Sequence, residues 1–234
     1  MSDLSQTELD IMLGSSGPLN LPGINLASLD FKSKGLTKAN LESANLSGAH
    51  LEGVDLREAN LRDAYLVRTL LVGADLSGVK LDWADMAEAD LSQAILAGGS
   101  MAGVSLKRAT LFETDLRDTN LRKAKLNNAI LRKAIFAGAN LRDADLRYAI
   151  LTEVDFQDTD MMGATLRQAD LSGARFERAY LENVDFQDTN LRDVSFQDAV
   201  LVGAKFQGAE VTYEQLSRAW ALNGAILPGG EEHD

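Results

Sequence analysis

"ANLRDADLRYAILTEVDF" runs from Ala139 to Phe156 and sets Leu141, Leu146, Leu151 and Phe156 at every fifth residue. On an α-helix, five residues overshoot a full turn by about 140°, because each advances the chain by about 100°. The four large side chains would then scatter around the cylinder. On a flat strand, an odd spacing sends successive members to opposite faces. A chain that turns a corner once in every five residues keeps all four on the inside.

The period extends well beyond this stretch. Every fifth residue from Leu21 to Val211, 39 positions in all, is apolar: 28 Leu, 7 Phe, 3 Met and 1 Val. Two residues earlier in each unit, the 35 positions from Ala39 to Ala209 hold 23 Ala, 6 Val, 5 Thr and 1 Gly. A small residue beside a large one predicts a narrow interior that admits one bulky side chain per unit. The residue between them is Asp or Asn at 19 of 39 places, and such side chains bond nearby backbone groups. The place two after the large residue holds 12 of the 19 glycines, with Asp and Asn also common, which marks a turn with positive φ. Each unit therefore reads as a short extended piece followed by a turn. Stacked coils would let the backbone bond to the coils above and below, which makes an all-β solenoid the economical solution.

"ANLESANLSGAHLEGVDLREANLRDAYL" (Ala39–Leu66) resembles the pentapeptide-repeat family, with its A(D/N)Lxx signature, and the likeness covers about residues 19–211. The resemblance implies a right-handed quadrilateral β-helix with four pentapeptides, hence twenty residues, per coil. The phenylalanines support twenty independently. Phe136, Phe156, Phe176 and Phe196 are each 20 apart, as are Phe186 and Phe206, so they are expected to form two stacked aromatic columns. About ten coils rising about 4.8 Å each predict a rod roughly 45–48 Å long.

The expected organisation is an N-terminal cap over 1–20, the repeat β-helix over 21–211, a C-terminal capping helix and stop over 212–227, and a tail over 228–234. At the N-terminus, Ser5 and Glu8 fit a capping box, with Leu4 and Leu9 as its staple and a short helix ending near Gly14. Thr212 and Gln215 fit a second box, with a helix expected to run to about Leu222. On that helix Leu216, Ala219 and Trp220 would share an apolar face, and with Leu222 they are the candidate capping or dimer contact. Family members often end in a helix that caps the rod or joins two copies, so the resemblance implies a monomer or a C-terminal homodimer. Lys34 stands where a small inward residue belongs, and Leu19, Ile24 and Leu29 exceed the usual size there, so the first coil is expected to be distorted.

The chain is acidic, −12 overall, but the charge is uneven. Residues 107–147 carry 10 basic and 5 acidic side chains, while the segments on either side are acidic in net charge. Cysteine is absent, which removes disulfides and thiolate metal sites and suits a cytoplasmic setting. The N-terminal "MSDLSQTELD" lacks the pattern of a signal peptide, and no run of eighteen apolar residues predicts a membrane span.

Reactive machinery is thin. The two histidines, His50 and His233, are expected to be exposed and far from any triad. "GGSMAGVS" (Gly98–Ser105) lacks a phosphate-loop ending, and no calcium-binding spacing occurs. No catalytic residue, metal site or cofactor is therefore assigned, and an enzyme is not expected. The outward apolar residues are more informative. With a twenty-residue coil, Phe112, Ile130 and Ile150 share one face, Tyr148 stands at its corner, Thr110 and Thr152 flank them, and Leu70 and Val72 lie two coils before Phe112. These residues are the candidate partner-binding stripe. The leading expectation is a non-catalytic scaffold that offers a rigid surface to a protein partner. The alternative, implied by the resemblance, is a DNA mimic that binds DNA gyrase and protects it from inhibitors or modulates it; the basic segment weighs against it. Direct nucleic-acid binding through Arg122, Arg132, Arg142 and Arg147 is disfavoured by the acidic surroundings.

Overall fold

A computed structural model describes residues 4–14, 17–32 and 34–234. Parallel bridges join each residue of the polar position to the one twenty further on, from Asn20–Asn40 through Asn190–Glu210. The unit at Leu36–Leu41 shows how the five residues work. Ala39 N–H donates to Leu36 C=O at 3.0 Å and closes a turn in which Lys38 has φ 59°. Leu41 N–H then donates to Asn60 C=O of the next coil at 2.7 Å, and Asn60 N–H returns a bond to Ala39 C=O at 2.8 Å. Every coil thus satisfies its neighbours' backbone, which a narrow, water-free interior requires.

The third turn residue is left-handed at every described position from Gly23 to Gly208, whether or not it is glycine. Even Trp83 and Tyr148 adopt φ 62° there, at a cost of roughly 1–2 kcal/mol each that the ladder on both sides must impose. Carboxylates at the polar position brace the turns: Asp55, Asp75 and Asp90 each accept from the backbone N–H two residues on, at 3.0–3.1 Å.

The inward set is as expected. From Leu26 to Phe206 the large residues are at most 1 % exposed, and the small ones fill between them. The five inward threonines bond backbone carbonyls, as Thr69 does with Leu46 at 2.8 Å and Thr119 with Leu116 at 2.7 Å, so no buried hydroxyl is left unpaired. The phenylalanine columns are present, with stacked rings 4.9–5.5 Å apart. They also meet each other: Phe186 stands edge-on between Phe176 and Phe196, at 5.9 and 6.0 Å. Orthogonal packing across the coil joins the two columns into one aromatic cluster.

Helix α1 (Gln6–Leu13) covers the first coil, with its capping box closed between Ser5 and Glu8 and Gly14 at its end. Leu9 is fully buried in the core, and Leu19, Ile24 and Leu29 pack against that same cluster. Gln6 completes the edge: its amide donates to Asp30 C=O and accepts from Asp30 N–H, both at 2.9 Å, in place of a missing strand. The expected distortion at Lys34 does not occur. Lys34 N–H bonds Phe31 C=O at 2.9 Å as its counterparts do in later coils, and its ammonium swings out to Asp10 at 3.4 Å, because an end coil leaves that side open.

The C-terminus departs from expectation. Helix α2 spans only Tyr213–Leu216, although its Thr212–Gln215 capping box is complete, and the chain does not remain helical to Leu222. It rejoins the ladder one residue out of step, with bridges Val200–Ala221 and Lys205–Ile226. Trp220 N–H pairs in the old register with Ala199 C=O at 2.8 Å, while Ala221 C=O pairs in the new one with Leu201 N–H at 2.7 Å. Two residues share one rung, as in a β-bulge, and Trp220 is turned outward, 80 % exposed, instead of lying on an apolar helix face. Leu216 and Leu222 are buried and Ala219 half-buried. Past the bulge, "ALNGAIL" (Ala221–Leu227) forms further repeat units, with Gly224 left-handed at φ 67°. The tail then folds back, with Ile226 and Glu232 paired antiparallel and His233 N–H bonded to Ala225 C=O at 2.8 Å. His233 is therefore not a loose exposed residue, and its Nδ1 is buried.

A candidate docking face

One side of the rod is lined by Asp90, Thr110, Ile130, Ile150 and Asp170, each bridged to the next. Beside Thr110 stands Phe112, and at the corner before Ile150 stands Tyr148. The ladder gives these side chains fixed spacing: Ile130 N–H donates to Ala109 C=O at 2.9 Å and Ile130 C=O accepts from Leu111 N–H at 2.7 Å, both in the preceding coil, while Ile150 bonds Ala129 and Leu131 in the same way at 2.9 and 2.8 Å. Ile130 is 39 % and Tyr148 53 % exposed, while Phe112 and Ile150 are half-buried by their neighbours. Leu70 and Val72 do not join them. Asp90 and Ser92 occupy the coil between, and the Asp90 carboxylate is committed to Ser92 through its N–H at 3.0 Å and its hydroxyl at 2.6 Å. The contiguous apolar face is therefore Phe112, Ile130, Tyr148 and Ile150, extended by the methyls of Thr110 and Thr152.

The rim of this face is cationic. Rows 107–113, 127–133 and 147–153 carry Lys107, Arg108, Arg132, Lys133 and Arg147 against Glu113 and Glu153, a local balance of +3 on a chain of −12. Arg147 is held by Asp145 through two bonds of 2.8 Å, and Arg108 lies 3.9 Å from Glu88. Burial acts to raise the Asp145 pKa, yet the Arg147 guanidinium and backbone N–H outweigh it and keep that carboxyl below its ordinary range. Lys107, Arg132 and Lys133 form no ion pair among the described residues.

Other surface features are taken up by pairing within the chain. A concavity of about 810 Å³ lies beside α2 among residues including Arg192, Asp193, Glu210, Gln215 and Arg218. Two ion pairs line it, Arg192 with Glu210 and Arg218 with Glu214, each at 2.9 Å. Gln215 donates to the Leu191 and Val194 carbonyls at 2.8 and 3.0 Å, repeating at this end the edge-satisfying role of Gln6. His50 Nδ1 lies 3.6 Å from Glu52 with no nucleophile recorded beside it. Among the described residues, no three His, Cys, Asp or Glu side chains gather as a metal site, and no helix is long and apolar enough to cross a membrane.

The sequence reading missed a second apolar group. Tyr180, Val200 and Ala221 are bridged in succession, Val202 lies beside Val200, and the bulged Trp220 precedes Ala221. Tyr180 and Val202 follow from the twenty-residue lattice; Trp220 does not, because the register slip that brings it there has no periodic signal. Trp83 was missed too. Its ring covers Gly103 of the next coil so closely that a Cβ there would clash with Cε3 and Cζ3.

Comparison with known proteins agrees with this architecture. The chain matches the profile described as pentapeptide repeats (8 copies) over residues 36–78, 74–111 and 109–147, and the pentapeptide repeat region over 129–206. Among solved structures it is similar to HetL, a pentapeptide repeat protein involved in heterocyst differentiation regulation from the cyanobacterium Nostoc sp. strain PCC 7120. That similarity amounts to 30 % identity over 92 % of each chain, with a TM-score of 0.56. A trypsin-treated form of QnrB1, a plasmid-mediated fluoroquinolone resistance protein, matches at 16 % identity over 86 % of this chain and 94 % of its own, TM-score 0.49. Rfr23, a pentapeptide repeat protein from the cyanobacterium Cyanothece 51142, matches at 27 % identity over 62 % and 82 %, TM-score 0.29. No curated protein matches.

Proposed function

Because the chain belongs to the pentapeptide-repeat family, whose members share a right-handed quadrilateral β-helix, we propose that it is a non-catalytic scaffold that binds a protein partner through one side of its rod. The observation that carries this reading is the face formed by Phe112, Ile130, Tyr148 and Ile150. It is an apolar surface held at fixed spacing by ladder bonds on a rod whose other outward positions are mostly polar. The similarity to HetL, described as involved in a regulatory process, supports a role exercised through binding. A DNA mimic would need an unbroken anionic surface, and the rows from 107 to 153 interrupt it with net positive charge.

The test is affinity capture from the native host with the wild-type chain and with a Phe112→Ser, Ile150→Ser variant. Proteins recovered by the first and lost with the second are the expected result. An unchanged set of captured proteins removes this face as the docking site.

A further inference from the structure

We infer that the partner segment received by this face is an acidic amphipathic helix. The inference rests on the docking reading above and adds the chemistry of the occupant. Three observations carry it. The face has an apolar centre, Ile130 and Tyr148 being its most exposed members. Its rim holds five cations and two carboxylates, on a molecule that is otherwise strongly acidic. Two of those cations, Arg132 and Lys133, form no ion pair among the described residues, so their charge is available to another molecule, whereas many arginines elsewhere are spent on neighbouring carboxylates, as Arg117 is on Asp115 at 2.6 Å and Arg178 on Asp158 at 2.6 Å.

The spacing suits a helix, whose turn of about 5.4 Å is close to the coil step of about 4.8 Å. The favourable rows are three, bounded by Asp90 on one side and Asp170 on the other, so the surface extends about two coil steps, roughly 10 Å between outer rows. An α-helix laid parallel to the rod axis rises about 5.4 Å per turn, so about two turns span the three coils and the two flanks of its inward stripe face the two corners. Apolar residues at helical spacing on the partner would meet Ile130, Ile150 and Phe112, while Glu or Asp flanking that stripe would meet Arg132 and Lys133 at one corner and Lys107 and Arg108 at the other. The same rim would repel a basic helix, which gives the face selectivity as well as attraction.

The probe is a set of three labelled helical peptides, each held helical by a side-chain staple and about three turns long, with the same leucine stripe and with Glu, Gln or Lys on its flanks. Binding is read by fluorescence anisotropy against the wild-type chain and an Arg132→Glu, Lys133→Glu variant whose melting curve is first shown to be unchanged. The Glu peptide should bind wild type most tightly and weaken by at least about tenfold on the variant. It should also weaken when ionic strength rises from about 0.01 M to about 1 M, which shortens the screening length from about 30 Å to about 3 Å. If the Gln or Lys peptide binds as well as the Glu peptide, or the charge reversal changes nothing, the acidic-partner inference is overturned while the face survives as a docking site. If none of the three binds, both fall.

Discussion

The aromatic cluster gives the sharpest energetic prediction. Phe156 is fully buried and lies between Phe136, at 5.1 Å and 18°, and Phe176, at 4.9 Å and 9°. Replacing it with leucine keeps an apolar side chain in place but removes two ring contacts, each worth about 0.5–1.5 kcal/mol, so Phe156→Leu should cost about 1–3 kcal/mol. Phe176→Leu removes three, since Phe176 also touches Phe196 at 5.5 Å and Phe186 edge-on at 5.9 Å, and should cost more. The double variant isolates the single contact between the pair. Denaturant unfolding of the four proteins, compared at matched slope, should give a coupling energy of about 0.5–1.5 kcal/mol. Phe31, in the first coil, serves as control: paired with Phe156 it should couple by no more than the roughly 0.3–0.5 kcal/mol scatter of independent sites. Coupling between Phe156 and Phe176 as small as the control would refute the stacking argument and leave the phenylalanines as simple space-fillers.

Three further outcomes follow from the same geometry. Leu141→Asp places an unpaired carboxylate inside the rod, at a cost of several kcal/mol, and should lower the melting temperature markedly; an unchanged melt would mean that position 141 does not face inward. Asp115 has its pKa held below the ordinary carboxylate range, first by its bond to Arg117 and against the opposing effect of burial. A depressed folded pKa contributes stability above the unfolded value, about 3.9, and loses it as protons bind. Melting temperature should therefore stay level from neutral pH to about 5 and fall below about 4, less steeply in Asp115→Asn. Stability that rises on acidification contradicts this. Gly103→Ala should expel the Trp83 ring from its seat and shift its fluorescence to the red at an added backbone cost of roughly 1–2 kcal/mol, since position 103 has φ 68°; an unshifted spectrum shows that the ring does not lie there.

What the sequence discloses and what it conceals follow from periodicity. Leu141 and its equivalents are legible because one geometric rule applies at every unit, and the two capping boxes are legible because Ser5–Glu8 and Thr212–Gln215 are local motifs. The C-terminal return is concealed for the same reason. A single extra residue near Trp220 takes "ALNGAIL" out of frame, and a period-five reading no longer registers Leu222 and Ala225 as core. Lys34 misleads because the expense of an inward lysine applies only where coils lie on both sides, and the first coil is open. The candidate docking face is half legible. The lattice brings Phe112, Ile130 and Ile150 together, and the structure adds that Asp90 divides them from Leu70 and Val72. Which cations are free depends on side-chain reach, as with Arg147 folding onto Asp145 while Arg132 finds no acid, and spacing alone does not decide that.

The twenty-residue coil underlies both the core and the docking face, and the chain's lack of cysteine makes it directly testable. Thr110 and Ile130 are bridge partners in adjacent coils, whereas Asp115 and Ile130 stand on different sides of the rod. Adjacent strands lie about 4.8 Å apart, within the roughly 4.4–6.8 Å that a disulfide spans between Cα atoms. Mild oxidation should close an intramolecular disulfide in the Thr110→Cys, Ile130→Cys protein and leave Asp115→Cys, Ile130→Cys reduced. Closure of the fifteen-residue pair in preference to the twenty-residue pair contradicts the coil on which the account stands.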